Sequence, residues 1–347
     1  MKIGIIGASG YVGVELLRLC AAHPNFDVEL AAAGGHAGER LAAHTPSLAT
    51  AYPSMAYASF DPYAKDCAAA LDGFDVVFSA LPHGQSQHFV PSLLGRVGVV
   101  VDLAADFRLK DPSLYSTWYG QEHAAPDLLQ EAVYGLPELC VGQLDGARLV
   151  AAAGCYPTAA ALALAPLVAS GAVQRDGILV DAASGVSGAG RGVAGPGADR
   201  LQFGHVDGDF SAYGLLEHRH TPEIEQVLQA SVLFTPHLAP MSRGILATCY
   251  ARPTGPYDTD ELLGILRQAY TGSPFVVVTD TPPSTKATAG SNCAHVTVRS
   301  DRRTGWVLAL CALDNLVKGA SGQAVQCANI ALGLPQATGL PIVGVYP

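Results

Sequence analysis

Apolar and polar positions alternate on two different rhythms along this chain, and the change between them divides it. In roughly the first hundred residues, short runs at 2–6, 27–33, 76–82 and 98–104 are rich in apolar residues. Such runs mark strands buried on both faces. Between them, residues 11–22 and about 86–94 carry the 3.6-residue period of amphipathic helices. Strands alternating with helices predict a parallel sheet covered on both sides, a doubly wound α/β domain. Beyond about residue 152 the strands lengthen and follow one another without helices: "GILVDAAS", "SVLFTPHLAP", "GILATCYARP", "PFVVVTD", "AHVTVRS" and "GWVLALCALD". That succession predicts a second, α+β domain on a mixed or antiparallel sheet. Glycine-rich 185–200 is its one long loop, and residues 314–333 read as a closing helix. The richest apolar segment, "AAALALAPLVASGAV", is interrupted by Pro166 and Gly171, so no membrane span is expected.

Composition narrows the class. A length of 347 residues suits two domains, and 49% hydrophobic with only 14% charged residues describes a globular protein. A net charge of −10 with no cluster of Lys or Arg excludes electrostatic tracking of nucleic acid. The eight cysteines never approach C-x-x-C spacing, so neither a metal site nor a redox pair is expected. Their scatter through apolar segments fits a reducing compartment. The chain opens directly on a strand rather than on a signal peptide, and a cytoplasmic protein is expected.

The first strand runs into Gly7-Ala8-Ser9-Gly10-Tyr11-Val12-Gly13, which opens a helix. In a β-α-β unit such a turn lets main chain approach a pyrophosphate, which then rests on the free N–H groups of the helix start. The alternative is a tight turn with no ligand. The context favours dinucleotide binding on a Rossmann-type sheet, although the spacing G-x-x-G-x-x-G is a variant of the usual fingerprint. The second strand ends in "AAAGGHAGER", with no carboxylate at its tip. Gly34, Gly35 and His36, with Arg40 beyond, would accept a 2′-phosphate, which favours NADP over NAD.

Cys155, in "AAAGCYPTAA", stands between Gly154 and a Pro-containing helix start. A free cysteine is most often a packing residue. At a helix N-terminus, however, the dipole and unpaired N–H groups favour the thiolate, and the same groups would hold an oxyanion after attack on a carbonyl. His218 and His220 precede Thr221-Pro222-Glu223, a helix cap and first turn. The two are open to reading as a solvated loop, a metal pair or an acid/base site, metal being the least favoured for want of further ligands. Arg108, Arg191 and Arg243 are either surface ion-pair partners or forks for carboxylate and phosphate.

Taken together, "GASGYVGVELLRL", "ALPHG", "DLAADFRLKD", "YGLPEL", "GCYPTAA", "SGVSGAGR", "HRHTPEIEQ", "SRGILATC" and "DNLVKGASGQAVQ" span nearly the whole chain. The chain resembles the N-acetyl-gamma-glutamyl-phosphate reductase family, NADP-dependent enzymes of arginine biosynthesis. One departure is Ala104 in "DLAADFR", where serine is common. The resemblance implies that Cys155 attacks an acyl phosphate to leave a thioester, which NADPH reduces to a semialdehyde. It makes His220 or His218 the acid/base, with His220 preferred, offers Arg108 and Arg243 to the phosphate and the carboxylate of the substrate, and leaves Glu223 to bind substrate or to orient a histidine. Gly7, Ser9, Gly10, Tyr11, Val12, Gly13, Ser187, Gly188 and Asn315 would contact the cofactor. The implied division is an NADP-binding domain of 1–152 plus 313–347 and a catalytic and oligomerisation domain of 153–312, in a tetramer. Tyr156-Pro157 separates the chain from a relative acting on aminoadipyl phosphate, and "GCYPT" and "HRHTPEIEQ" fit aspartate-semialdehyde dehydrogenase poorly. A dinucleotide-binding sensor without turnover is the reading from outside enzymology.

Overall fold

In this computed structural model, residues 1–64, 66–191 and 203–346 are described. The chain forms two compact units, Met1–Ala153 with Ala320–Leu340, and Gly154–Gly319 with Pro341–Pro347.

The first unit holds strands β1 (Lys2–Ile6), β2 (Asp27–Ala32), β3 (Val76–Ser79), β4 (Val99–Asp102), β5 (Val133–Gly135) and β6 (Leu149–Ala152). They pair in parallel in the order β2-β1-β3-β4-β6-β5. All residues of β3, β4 and β6 are buried, as strands covered on both faces must be. The expected doubly wound sheet is present, and the strand order reverses direction between β1 and β3. Open α/β sheets bind ligands at that switch point, outside the strand carboxyl ends.

Strands β7 (Ile178–Ser184), β8 (Ser211–Ala212), β9 (Val232–Leu238), β10 (Ile245–Ala251), β11 (Val276–Val278), β12 (Ala294–Asp301) and β13 (Trp306–Leu313) build the second unit. Their order is β11-β12-β13-β10-β7-β9-β8, with β7–β9 and β11–β12 parallel and the other pairs antiparallel. This is the mixed sheet expected. Strands β7 and β10 alternate strictly between buried and half-buried residues, so one face is covered and the other is not.

The helices used below are α1 (Tyr11–Ala22), α2 (Ser86–Leu93), α3 (Cys155–Ala169), α4 (Thr221–Leu228), α5 (Thr259–Ala269) and α6 (Gly322–Ala331). Helix α3 covers the inner face of the second sheet against β10, β12 and β13, with α4 and α5 beside it. Its Ala/Leu sequence is buried nearly all round, which explains why it lacks a polar stripe. Pro166 removes the N–H that would bond the Leu162 carbonyl; Tyr270 Oη donates to that oxygen instead, at 2.6 Å.

Apart from Ala153, which falls in the first unit, the division differs from the sequence expectation at two places. Residues 313–319 stay with the second unit, because the Asp314 side chain accepts from Gly290, Leu316 and Val317 N–H there. The last residues also return to it, through Asn292 N–H to Pro341 O and Val345 N–H to Ala289 O. Only Ala320–Leu340 rejoins the first unit, where Ser321 Oγ donates to Val12 O and Asn329 Oδ1 meets His23 Nε2 at 3.0 Å. Of the glycine-rich loop, Val186–Ala189 forms a 3₁₀ turn, and residues 192–200 lie outside the described residues.

Candidate active site

In the first unit, the glycine turn joins β1 to α1. Gly7 has φ +82°, and a side chain at Gly13 would collide with the Gly7 carbonyl and Ala8, so helix and strand approach closely only because both are glycine. Gly10 is the N-cap of α1 without any side-chain cap, and Val14 N–H closes on its carbonyl at 2.8 Å. The N–H groups from Tyr11 to Gly13 therefore have no intrahelical acceptor and point out of the helix start. Ser9 and Tyr11 lie at its mouth, Tyr11 exposed. The turn is a cradle with the shape and polarity that a pyrophosphate needs.

Arg108 is in this unit too, and it is buried. Its Nε donates to Ala152 O at 2.7 Å and its Nη2 to Leu103 O at 2.8 Å. It ties the end of β6, which leads directly into Cys155, to the segment after β4. Nearby are two buried acids that sequence reasoning did not single out. Ser86 Oγ donates to Asp102 Oδ1 at 2.7 Å, and Asp106 accepts from Gly84 and Gln87 N–H. Burial, with the Asp106 charge behind it, pushes the Asp102 carboxyl well above the usual carboxylate range.

The second unit gathers Cys155, His218, His220, Glu223, Arg243, Ser187, Gly188 and Asn315. Cys155 is the first residue of α3, half-buried, with Gly154 as an extended N-cap. Two bonds fix that cap: Gly154 N–H donates to Glu223 Oε1 at 2.8 Å, and the Thr158 hydroxyl donates to Gly154 O at 2.8 Å. Glu223 is buried in the first turn of α4, so it holds the main chain from which the thiol projects. Gly319 packs against the same point, where a Cβ would sit 2.8 Å from Cys155 Cβ. No local signal in the sequence marks Gly319; its proximity follows only from folding.

The histidines stand in an aromatic setting supplied by Tyr156, Tyr213 and Phe234. The Tyr156 ring lies edge-on to His218 at 5.5 Å and to His220 at 5.8 Å, and the two imidazoles are 4.9 Å apart. Tyr156 Oη meets Tyr213 Oη at 3.0 Å and donates to His237 O at 3.3 Å. Burial raises both phenols, Tyr213 to about 12, so both stay neutral. His218 is driven the other way: burial, aided by the Arg219 charge, brings it down to about 4. Its Nδ1 accepts the His220 N–H at 3.1 Å, which leaves the proton of the neutral ring on Nε2. His220 is the N-cap of α4 and half-buried.

Arg243 lies in the turn between β9 and β10. Its Nη1 is 3.6 Å from Asp314 Oδ2, a fully buried carboxylate already accepting three main-chain N–H groups, and about a third of the Arg243 side chain is exposed. Beside it, Asn315 accepts from Gly244 N–H at 2.7 Å and donates to Ser187 Oγ at 3.0 Å, with Gly188 packed on Ser184 Oγ and Asn315. Ser187, Gly188 and Asn315 thus form one cluster although 128 positions separate Ser187 from Asn315.

Two family models match this chain. One, described as semialdehyde dehydrogenase, NAD binding domain, covers residues 2–147; the other, semialdehyde dehydrogenase, dimerisation domain, covers residues 155–315. The N-acetyl-gamma-glutamyl-phosphate reductase of Symbiobacterium thermophilum is 47% identical over all of this chain and 99% of its own length. That of Desulforudis audaxviator is 45% identical over the full length of both. Among solved structures, aspartate semialdehyde dehydrogenase II from Vibrio cholerae superposes with a TM-score of 0.68 at 14% identity, over 96% of this chain and 98% of that one. Aspartate semialdehyde dehydrogenase with NADP from Candida albicans gives 0.67 at 16%, with the same coverage. At such identities these structures share the fold.

Proposed function

Because this chain belongs to the N-acetyl-gamma-glutamyl-phosphate reductase family, we propose that it reduces N-acetyl-L-glutamyl 5-phosphate to the 5-semialdehyde with NADPH, in arginine biosynthesis. The observation that carries this reading is the placement of Cys155 as the first residue of a buried helix, its N-cap clamped by Glu223. There the helix dipole favours the thiolate, and the N–H groups of the first turn face the oxygen that becomes negative when sulfur attacks the acyl carbon. Attack expels phosphate and leaves a thioester on Cys155, which divides a difficult reduction into two easier steps. Gly7, Ser9, Gly10, Tyr11, Val12 and Gly13 would hold a nicotinamide dinucleotide, which supplies the hydride that reduces the thioester carbonyl. Ser187, Gly188 and Asn315 keep their assignment to the cofactor. His220 protonates the resulting oxyanion and takes the proton back as the C–S bond breaks, releasing aldehyde and restoring the thiolate.

Arg243, tethered to Asp314 but still partly exposed, is the fork for an anionic group of the substrate. Arg108, with two donors on main-chain carbonyls, acts instead as a positioning residue for the end of β6, and Glu223 does the same for Gly154. NADP over NAD is supported by the absence of a carboxylate in Ala31–His36 at the end of β2. The cytoplasm is supported by eight free cysteines. Among the described residues, no helix is long and apolar enough to cross a membrane. The half-covered face of the second sheet supports self-association, to a tetramer in this reading.

The test is a pair of measurements. Wild-type protein should catalyse phosphate-dependent reduction of NADP⁺ by N-acetylglutamate semialdehyde, with aspartate and aminoadipate semialdehydes far poorer, and Cys155→Ser should lose at least about a thousandfold in rate. Mixed with the acyl phosphate alone, intact wild type should gain the mass of an N-acetylglutamyl group and the variant should not. Full activity in Cys155→Ser would sink the covalent mechanism, and no turnover by wild type with any of the three would favour a sensor.

A further inference from the structure

After β2 the chain makes a 3₁₀ turn, Gly34–His36, and then a one-turn helix, Leu41–His44. Three side chains of this segment converge. His36, Glu39 and His44 each offer a ligand atom, and the three atoms all lie within 4.8 Å of one another. His36 Nδ1 is 3.3 Å from Glu39 Oε2. The His36 and His44 rings are 4.0 Å apart, and both lie against Tyr57, which is buried. The one-turn helix thus sets the His44 imidazole beside the His36–Glu39 pair.

We propose that His36, Glu39 and His44 bind a divalent transition-metal ion, zinc by preference. Imidazole and carboxylate are its habitual ligands, and two histidines with one glutamate form a known zinc-binding set. The spacing fits as well. Bonds of about 2.0–2.1 Å in a tetrahedron put neighbouring ligand atoms about 3.3–3.4 Å apart, the separation already present between His36 Nδ1 and Glu39 Oε2. The frame beneath the cluster is firm: Gly38 N–H bonds Tyr57 O at 2.8 Å, Tyr57 N–H bonds Glu39 O at 2.9 Å, and Leu41 N–H bonds Met55 O at 3.0 Å. These main-chain bonds fix the ligand-bearing positions before any ion arrives, which lowers the ordering cost of binding. Three protein ligands leave a fourth position for water, and the partial exposure of His36 and Glu39 gives the ion a path from solvent. The ion would tie the turn after β2 to the one-turn helix. This inference does not depend on the proposed reaction, and it gives His36 to the metal rather than to a cofactor 2′-phosphate.

Sequence spacing conceals the site, since H-x-x-E-x-x-x-x-H matches no helical or hairpin ligand pattern and the turn at Gly38 brings the two ends together. The test uses the full chain, freed of metal with a chelator and titrated with cobalt(II), then zinc in competition. Wild type should bind one cobalt per chain and show visible ligand-field bands without thiolate-to-cobalt charge transfer. His36→Ala, His44→Ala and the conservative Glu39→Gln should each weaken binding by at least about tenfold, with circular dichroism checking their fold, while Cys155→Ser should bind as wild type does. No cobalt binding by wild type, unchanged affinity in folded His36→Ala and His44→Ala, or charge-transfer bands that vanish in Cys155→Ser would each overturn the proposal.

Discussion

His218 and His220 are separated by a single residue, yet the fold gives them different chemistry. Burial holds His218 neutral to about pH 4, and its Nδ1 is occupied by the His220 N–H. A ring so placed orients its neighbour and does not change charge near neutral pH. His220 is therefore the better placed of the two to give and take a proton during the reaction. His220→Asn is expected to lower kcat about 10²–10⁴-fold. His218→Asn, whose amide oxygen can replace Nδ1 as acceptor, should remain within about tenfold of wild type. Steady-state kcat of both variants checks this, and a loss of that size in His218→Asn alone would exchange the roles. The sequence made Cys155 and the glycine turn legible because their chemistry depends on neighbours along the chain. It did not reveal that Glu223 receives the Gly154 N–H across 69 positions, or that Gly319 abuts Cys155. Those contacts depend on which helix lies beside which, and no local pattern encodes that.

At the scale of elements, α3 combines two demands. Its N-terminus presents the Cys155 thiol, and its body fills the core beneath the second sheet. Pro166 within such a helix leaves the Leu162 carbonyl without its usual donor, and Tyr270 at the end of α5 makes up the loss. Tyr270→Phe should destabilise the protein by about 1–3 kcal/mol, the cost of a buried polar group left unpaired. Denaturant unfolding would measure it, and an unchanged midpoint would mean that another donor serves Leu162. The long strands and α3 were readable because their periodicity persists over several residues. The short strands β5 and β8 were not, since two or three residues carry no period. The closing helix was expected to leave for the first domain at 313, but Asp314 keeps its start in the second unit by accepting three main-chain N–H groups.

For the whole molecule, the second sheet is the feature that bears on assembly. Its outer face carries Leu179, Tyr250, Trp306 and Leu308 around a shallow pocket, with Arg252 stacked 3.7 Å over the Trp306 ring. Contiguous apolar surface of this kind is rare on a monomer unless it meets a partner. Leu308→Glu, at the middle of β13, should reduce the species seen by light scattering from a multiple of 35.8 kDa toward a single chain. A wild-type protein already monomeric at micromolar concentration would refute assembly through this face. Both sheets and their order of appearance followed from the change of rhythm near residue 152, because the covering of one face or two is written into each strand. The chain's double passage between units has a further consequence for synthesis. The unit built on β1 is the first to leave the ribosome, but it lacks Ala320–Leu340 until almost the whole chain has emerged. At about 5–20 residues per second, the glycine turn must wait, without Ser321 bonded to Val12, while the entire second unit is made. The cofactor-holding half is thus the first begun and among the last finished.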